Sequence, residues 1–155
     1  MTTFNLFPLT QEKKEEIAAW KYPGDYAMYD LPDAQAMKKA QMGFYDPKKS
    51  KNYYGLYVNN SFAGFANICP EEKEVFIGIG IKPELCNKGY GSSFMTEVYS
   101  LSKKLYPDKP LYLEVRSWNQ RAINCYKKAG FMIAGEPFEQ TTRIGKGSFY
   151  RMVKA

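Results

Sequence analysis

An α+β domain built on one mixed, mostly antiparallel sheet is what the sequence predicts. Short apolar or alternating segments of strand length recur along the chain, and four further segments carry apolar residues at helical spacing. No internal repeat or low-complexity linker separates them. The count is about six to seven strands and about four helices. At 155 residues with 45% hydrophobic content they form a single domain, residues 1–155, large enough to bury a proper core.

Phe4 to Leu9 alternates well enough for a first strand. Thr10, followed by Gln11-Glu12 and the apolar Ile17, Ala18 and Trp20, reads as a short helix with an acidic first turn. Between Trp20 and Asp30, a Pro23-Gly24 turn carries four aromatics, Trp20, Tyr22, Tyr26 and Tyr29. That is either a loop tucked over the core or a loop that contacts a substrate. Asp33 can cap a second helix carrying Ala36, Met37, Ala40 and Phe44, which stops near Gly43. Tyr53 to Val58 and Phe62 to Ile68 read as a hairpin across Asn59-Asn60-Ser61, and Glu71 to Glu74 is the polar turn into Val75 to Ile81. These three strands are expected to pair antiparallel.

A helix from Gly91 to Tyr106 follows, with Phe94, Val98, Leu101 and Leu105 on one face. In the next strand, Leu111, Leu113 and Val115 share one face and Tyr112, Glu114 and Arg116 the other. A carboxylate in mid-strand is costly to bury unless it is paired or used. Ala122, Tyr126 and Ala129 lie at helical spacing, and Gly130 is placed to end that helix before Phe131 to Ala134. The tail closes with a polar strand or loop through Thr142, the Gly145-Lys146-Gly147 turn and Ser148 to Val153, most simply a hairpin.

Composition narrows the chemistry. The chain has no histidine and three cysteines, Cys69, Cys86 and Cys125, far apart and without a CxxC pair. Histidine-ligated zinc, Ser-His and Cys-His nucleophiles and histidine acid/base catalysis are excluded, and no metal site is expected. Proton transfer must fall to a carboxylate, Tyr, Lys or Cys. A net charge of +6 suits an anionic ligand. The basic residues cluster only briefly, at Lys48-Lys49-Ser50-Lys51, so no nucleic-acid partner is expected. The odd cysteine count, the absence of a signal-peptide pattern at the start and of a long apolar run lead us to expect a cytoplasmic protein without a membrane partner.

The most informative stretch runs from Val75 to Leu105: an apolar strand, a glycine-rich turn through Cys86-Asn87-Lys88-Gly89-Tyr90-Gly91-Ser92-Ser93, and an amphipathic helix. The first N–H groups of a helix lack intrahelical partners and carry the positive end of its dipole, so they favour an anion. Two glycines let the backbone approach that anion, and a phosphate-bearing cofactor follows. The common nucleotide motifs do not fit. Gly78 and Gly80 are followed by Pro83 where a dinucleotide fingerprint needs its third glycine, and Gly91 is followed by Ser92-Ser93 where a Walker A loop needs Lys-Ser/Thr.

Together with the block from Leu113 to Phe131, this stretch resembles the GNAT superfamily of acetyl-coenzyme A-dependent N-acetyltransferases. Ile81 to Gly91 is similar to the family's coenzyme A signature, Arg/Gln-x-x-Gly-x-Gly/Ala. Leu113-Glu114-Val115-Arg116, Asn119, Ala122-Ile123, Tyr126, Lys128 and Gly130-Phe131 resemble its second block, most closely in the pattern of ribosomal-protein alanine N-acetyltransferases. Cys86 departs from the signature, standing where the family has Arg or Gln, which removes a side-chain contact and leaves the backbone N–H.

The resemblance implies that Ile79, Gly80 and Ile81 offer backbone groups to the pantetheine arm, and that Cys86, Asn87, Lys88, Gly89, Tyr90, Gly91 and Ser92 surround the pyrophosphate. Asn119 and Lys128 would line the cofactor groove. Gly78 and Gly80 fit a close approach of that kind, or else packing under a bulky neighbour. Glu114 is implied as the base and Tyr126 as the acid of acetyl transfer to a primary amine, either a protein N-terminus or a small molecule. Tyr126 could instead be a core tyrosine and Glu114 a partner of Arg116 or of a neighbouring lysine, and Glu74 is a rival base. Tyr26, Tyr29 and Tyr150 are expected to wall the acceptor side. The alternative is a non-catalytic coenzyme A-binding or protein-interaction module on the same fold, and a homodimer is left open.

Overall fold

The computed structural model describes residues 1–155. Eight strands and four α-helices follow in the order β1 (Phe4–Pro8), α1 (Gln11–Ala18), α2 (Ala34–Ala40), β2 (Tyr53–Val58), β3 (Ser61–Pro70), β4 (Val75–Ile81), α3 (Tyr90–Leu105), β5 (Leu111–Arg116), α4 (Gln120–Lys128), β6 (Met132–Ile133), β7 (Phe138–Thr142) and β8 (Gly145–Lys154). The count exceeds the expected six to seven strands. β6 has only two residues, too few to show a period, and β7 is the polar segment that sequence leaves between strand and loop. The aromatic stretch after Trp20 is not an open loop but a 3-10 turn over Gly24–Tyr29.

Local chemistry sets the helix ends. The Thr10 hydroxyl accepts from the Lys13 amide, Asp33 from Ala36 and Asn119 from Ala122, each capping the helix that follows. α2 ends earlier than expected, at Gln41 in the left-handed conformation. At the end of α4, Gly130 takes φ +97°, as a helix-terminating glycine should. α3 has no capping side chain; it starts from Gly89 at φ +81°.

The sheet runs β1-β2-β3-β4-β5-β8-β6, with β7 also pairing with β8. Every pairing is antiparallel except β4 with β5, which is parallel and holds over only two positions, Val75↔Leu111 and Phe76↔Tyr112. Beyond them the strands part, while β4 keeps its full register with β3 out to Gly64↔Ile81. The sheet is therefore split on one side of its middle.

Two cores hold the strands in place. On one face, Phe94, Met95 and Val98 of α3 and Ile123 of α4 pack on Leu56, Ala66, Ile77, Leu111 and Leu113. Removing a fully buried ring such as Phe94 costs about 3–5 kcal/mol. Leu105, expected on this face, ends the helix 44% exposed. On the opposite face Ile17, Ala18, Trp20, Met37 and Phe44 gather around Phe62 and Phe65, fixing α1, α2 and the aromatic turn beside β4.

Candidate active site

The parting of β4 from β5 opens a cavity of about 540 Å³. β4 from Phe76 to Ile81 forms one wall and β5 from Leu113 to Arg116 the other. The starts of α3 and α4 and the aromatics of the 3-10 turn complete it. Past Phe76, β4 has no strand beside it on this side, so alternate backbone groups of Ile77 to Ile81 face the cavity rather than a ladder.

The glycines of this wall have separate duties. A Cβ at Gly80 would collide with the Phe65 ring, whereas one at Gly78 would meet nothing closer than 3.7 Å. Gly80 thus answers to packing under a bulky neighbour, and Gly78 does not. Gly91 lets α4 come close, since a Cβ there would lie 2.7 Å from the Cys125 sulfur.

At the turn before α3, Asn87 and Gly89 both take positive φ, 66° and 81°, and Asn87, Gly89, Gly91 and Ser92 line the cavity. With no side chain capping the helix, its first N–H groups remain available to an anion, a fitting seat for a pyrophosphate. The Cys86 thiol sits 3.7 Å from the carbonyl oxygens of both Ile81 and Lys82. Burial pushes it up from the ordinary thiol value, so it holds its proton and donates weakly to the strand end. A cysteine here secures the turn to β4 where a longer side chain would reach outward.

Across the cavity, Tyr126 on α4 is enclosed. Burial, with smaller contributions from Cys125 and Tyr29, raises its phenol well above the ordinary value. Glu114 lies exposed on β5 and does not ion-pair with Arg116; it accepts a hydrogen bond from Gln140 Nε2 at 3.2 Å. Glu74, the rival base, is engaged by Arg151 and does not line the cavity. Asn119 faces the cavity with both ends of its amide in use. Oδ1 caps α4 at 3.1 Å, and Nδ2 donates to the Tyr29 hydroxyl at 2.9 Å.

Tyr26 and Tyr29 both line the cavity. Trp118 packs against both rings, with centroids at 5.5 and 6.1 Å, and the Arg121 guanidinium lies 3.9 Å above Tyr26. Tyr22 ties this group to β4 by donating from its hydroxyl to the Ile81 carbonyl at 2.7 Å. Three expected residues lie elsewhere. Lys88 is exposed outside the cavity, Tyr90 turns away to meet Phe4 at 6.1 Å, and Tyr150, paired in register with Val115, packs against the main core. Strand alternation accounts for Tyr150, and the first turn of α3 swings Tyr90 toward β1. Arg121 and Arg116 line the cavity and Trp118 backs its tyrosines; sequence reasoning quoted Arg116 only within its motif and as a partner for Glu114, and singled out neither Arg121 nor Trp118.

A split sheet with an uncapped helix at its mouth defines the class, and comparison with known proteins agrees. Residues 13–131 match the acetyltransferase (GNAT) family, and the chain belongs to that family. An N-alpha-acetyltransferase from Sulfurisphaera tokodaii is 26% identical over 113 residues, covering 70% of this chain and 66% of that protein, so the match spans just under two thirds of the relative's length. Among solved structures, the ribosomal-protein-S18-alanine N-acetyltransferase from Escherichia coli superposes with a TM-score of 0.65 at 20% identity, over 97% of this chain and 92% of that one. An aminoglycoside acetyltransferase solved with coenzyme A and kanamycin gives 0.76 at 20% identity, over 99% and 95%. No helix is long and apolar enough to cross a membrane.

Proposed function

We propose that the chain transfers an acetyl group from acetyl-coenzyme A to a primary amine, with Tyr126 as the acid and Glu114 as the base. The observation that carries this reading is the shared cavity, which holds an uncapped helix start, a half-buried phenol and the one carboxylate of the lining, Glu114. Bound there, acetyl-coenzyme A supplies an activated thioester. Asn87 to Ser92 would hold its pyrophosphate through backbone N–H groups, and the free edge of β4 would take its pantetheine amides.

The remaining work falls to side chains. An alkylammonium must lose a proton before it can attack, and Glu114, exposed at the cavity rim, accepts it directly or through a water. Tyr126, protonated at neutral pH as a phenol ordinarily is, gives its proton to the departing sulfur as the carbon–sulfur bond breaks. A backbone N–H at the end of β4 can face the oxyanion that forms as the amine adds.

Thiol release from acetyl-coenzyme A across a panel of amines tests the proposal. Release that depends on an amine and yields one acetylated product per thiol is the expected result. Binding of coenzyme A without release on any amine would favour a non-catalytic module.

A further inference from the structure

Arg116 is the only charged residue of the chain that is buried, at 8% exposure. It stacks 4.7 Å from the Phe149 ring, and Nη2 donates to Thr142 Oγ1 at 3.2 Å. Gly147 leaves room for it, since a Cβ there would collide with Nη1. No carboxylate of the protein pairs with it in any of the six ion pairs. A guanidinium offers five N–H donors in a planar fork, and one is spent on Thr142. A buried cation without a counter-charge is expensive, and this one borders the cavity.

Its position gives that cost a use. Arg116 lies two residues beyond Glu114 on the same face of β5, about 7 Å along the strand. It stands near Tyr29 and lines the same cavity as Asn87, Gly89, Gly91 and Ser92 of the turn before α3. The charged residues lining the cavity are Arg116, Arg121, Lys128 and, as the sole carboxylate, Glu114. A polyamine or an amino-sugar with several ammonium groups would set its second cation against these three. An acceptor with one amine and one carboxylate meets each charge with its opposite.

Building on the acetyltransferase reading above, we propose that Arg116 binds a carboxylate of the acceptor, so that the molecule acetylated is an amine–carboxylate zwitterion. The guanidinium takes the carboxylate through its unspent fork, the paired geometry that arginine favours. The amine is thereby delivered toward Glu114. The carboxylate can belong to a small amino acid derivative or to an acidic first residue of a peptide.

Matched acceptors separate these sources and test the idea. Glycylglycine against glycylglycinamide forms the small-molecule arm, hexapeptides beginning with Glu against the same peptides beginning with Gln form the peptide arm, and spermidine and kanamycin serve as polycations. Binding to the coenzyme A-loaded protein is read by calorimetry, and turnover by thiol release. In one arm the acid member should bind about tenfold tighter than its amide partner, with the difference in KM rather than kcat. Arg116→Gln should erase that preference, while Arg116→Lys should restore part of it. Equal binding within both pairs, or polycations as the preferred acceptors, overturns the proposal. If the variants unfold, the matched pairs on wild-type protein alone still decide between these outcomes. Absence of coenzyme A binding and of thiol release would instead sink the acetyltransferase reading, a separate outcome because acceptor binding is measured directly.

Discussion

Helices α3 and α4 both begin at the edge of the cavity, yet α3 starts from a bare glycine and α4 from a capping asparagine. At α3 the chain leaves its first N–H groups without a side-chain cap, which with glycine at that position costs only about a few tenths of a kcal/mol relative to a good cap. At α4 the equivalent need is met by Asn119, and the other end of the same amide fixes Tyr29. One helix therefore presents main chain to a ligand, while the other presents side chains, Tyr126 and Lys128 among them. On the proposed function, the first helix would serve anion binding and the second the chemistry, and substitutions at their starts should fail in different ways.

The largest effect belongs to the side-chain helix. Tyr126→Phe should lower kcat by about 10²-fold or more with little change in coenzyme A affinity, since it removes a proton donor and nothing that touches the phosphates. Unchanged turnover on a verified acceptor would deprive α4 of its chemical role. Next comes the main-chain helix. Gly89→Asp should weaken coenzyme A binding by about ten- to a hundredfold, because a carboxylate at the helix start competes with the pyrophosphate and repels it. Gly89→Asn, which also tolerates positive φ, should keep most of the affinity. Calorimetry on the pair separates charge from backbone strain, and equal losses would mean that the turn is not the seat of the anion.

A smaller effect sharpens the contrast. Asn119→Ala should cost about 1 kcal/mol and lower Tm by about 2–4 °C through loss of the cap. Asn119→Ser keeps a capping oxygen but is too short to reach Tyr29, so Tm should hold while the acceptor KM rises. A thermal melt and one saturation curve distinguish the two duties of the amide.

The slightest effect is one of pH. Burial raises the phenols of Tyr126 and Tyr22 above their ordinary value of 10.0, favouring the protonated form in the folded protein. Their stabilising contribution is whole below that value and is lost as pH rises toward the folded pKa values, because the unfolded chain ionises first. Tm should therefore stay level on this account up to about pH 10 and then decline, with a shallower decline in Tyr126→Phe. An identical alkaline decline in that variant would show that Tyr126 does not contribute.

The strands that carry the site were legible because their signals are local. Alternation located β5 with Glu114, spacing and Gly130 located α4, and the glycine turn announced the start of α3. The split between β4 and β5 was not legible, since pairing over two positions instead of six is decided by distant elements, not by either strand's own sequence. Tyr150 was misplaced for a related reason. Its face depends on register with β5, and a tyrosine suits a core edge as well as a binding wall. Arg116 reads from sequence as a possible partner for Glu114, and only the neighbouring β7 strand reveals that Gln140 takes that carboxylate instead.

The parting of β4 from β5 bears on how the molecule lives among other proteins. A strand edge with unpaired amides in the open invites another chain to add to it, which is the usual route from sheets to aggregates. Here the free edge from Ile77 to Ile81 is enclosed, with Tyr22 bonded to its last carbonyl and β5, α3 and α4 around it. The fold thus keeps an unpaired sheet edge in its interior, where other chains do not reach it to extend the sheet.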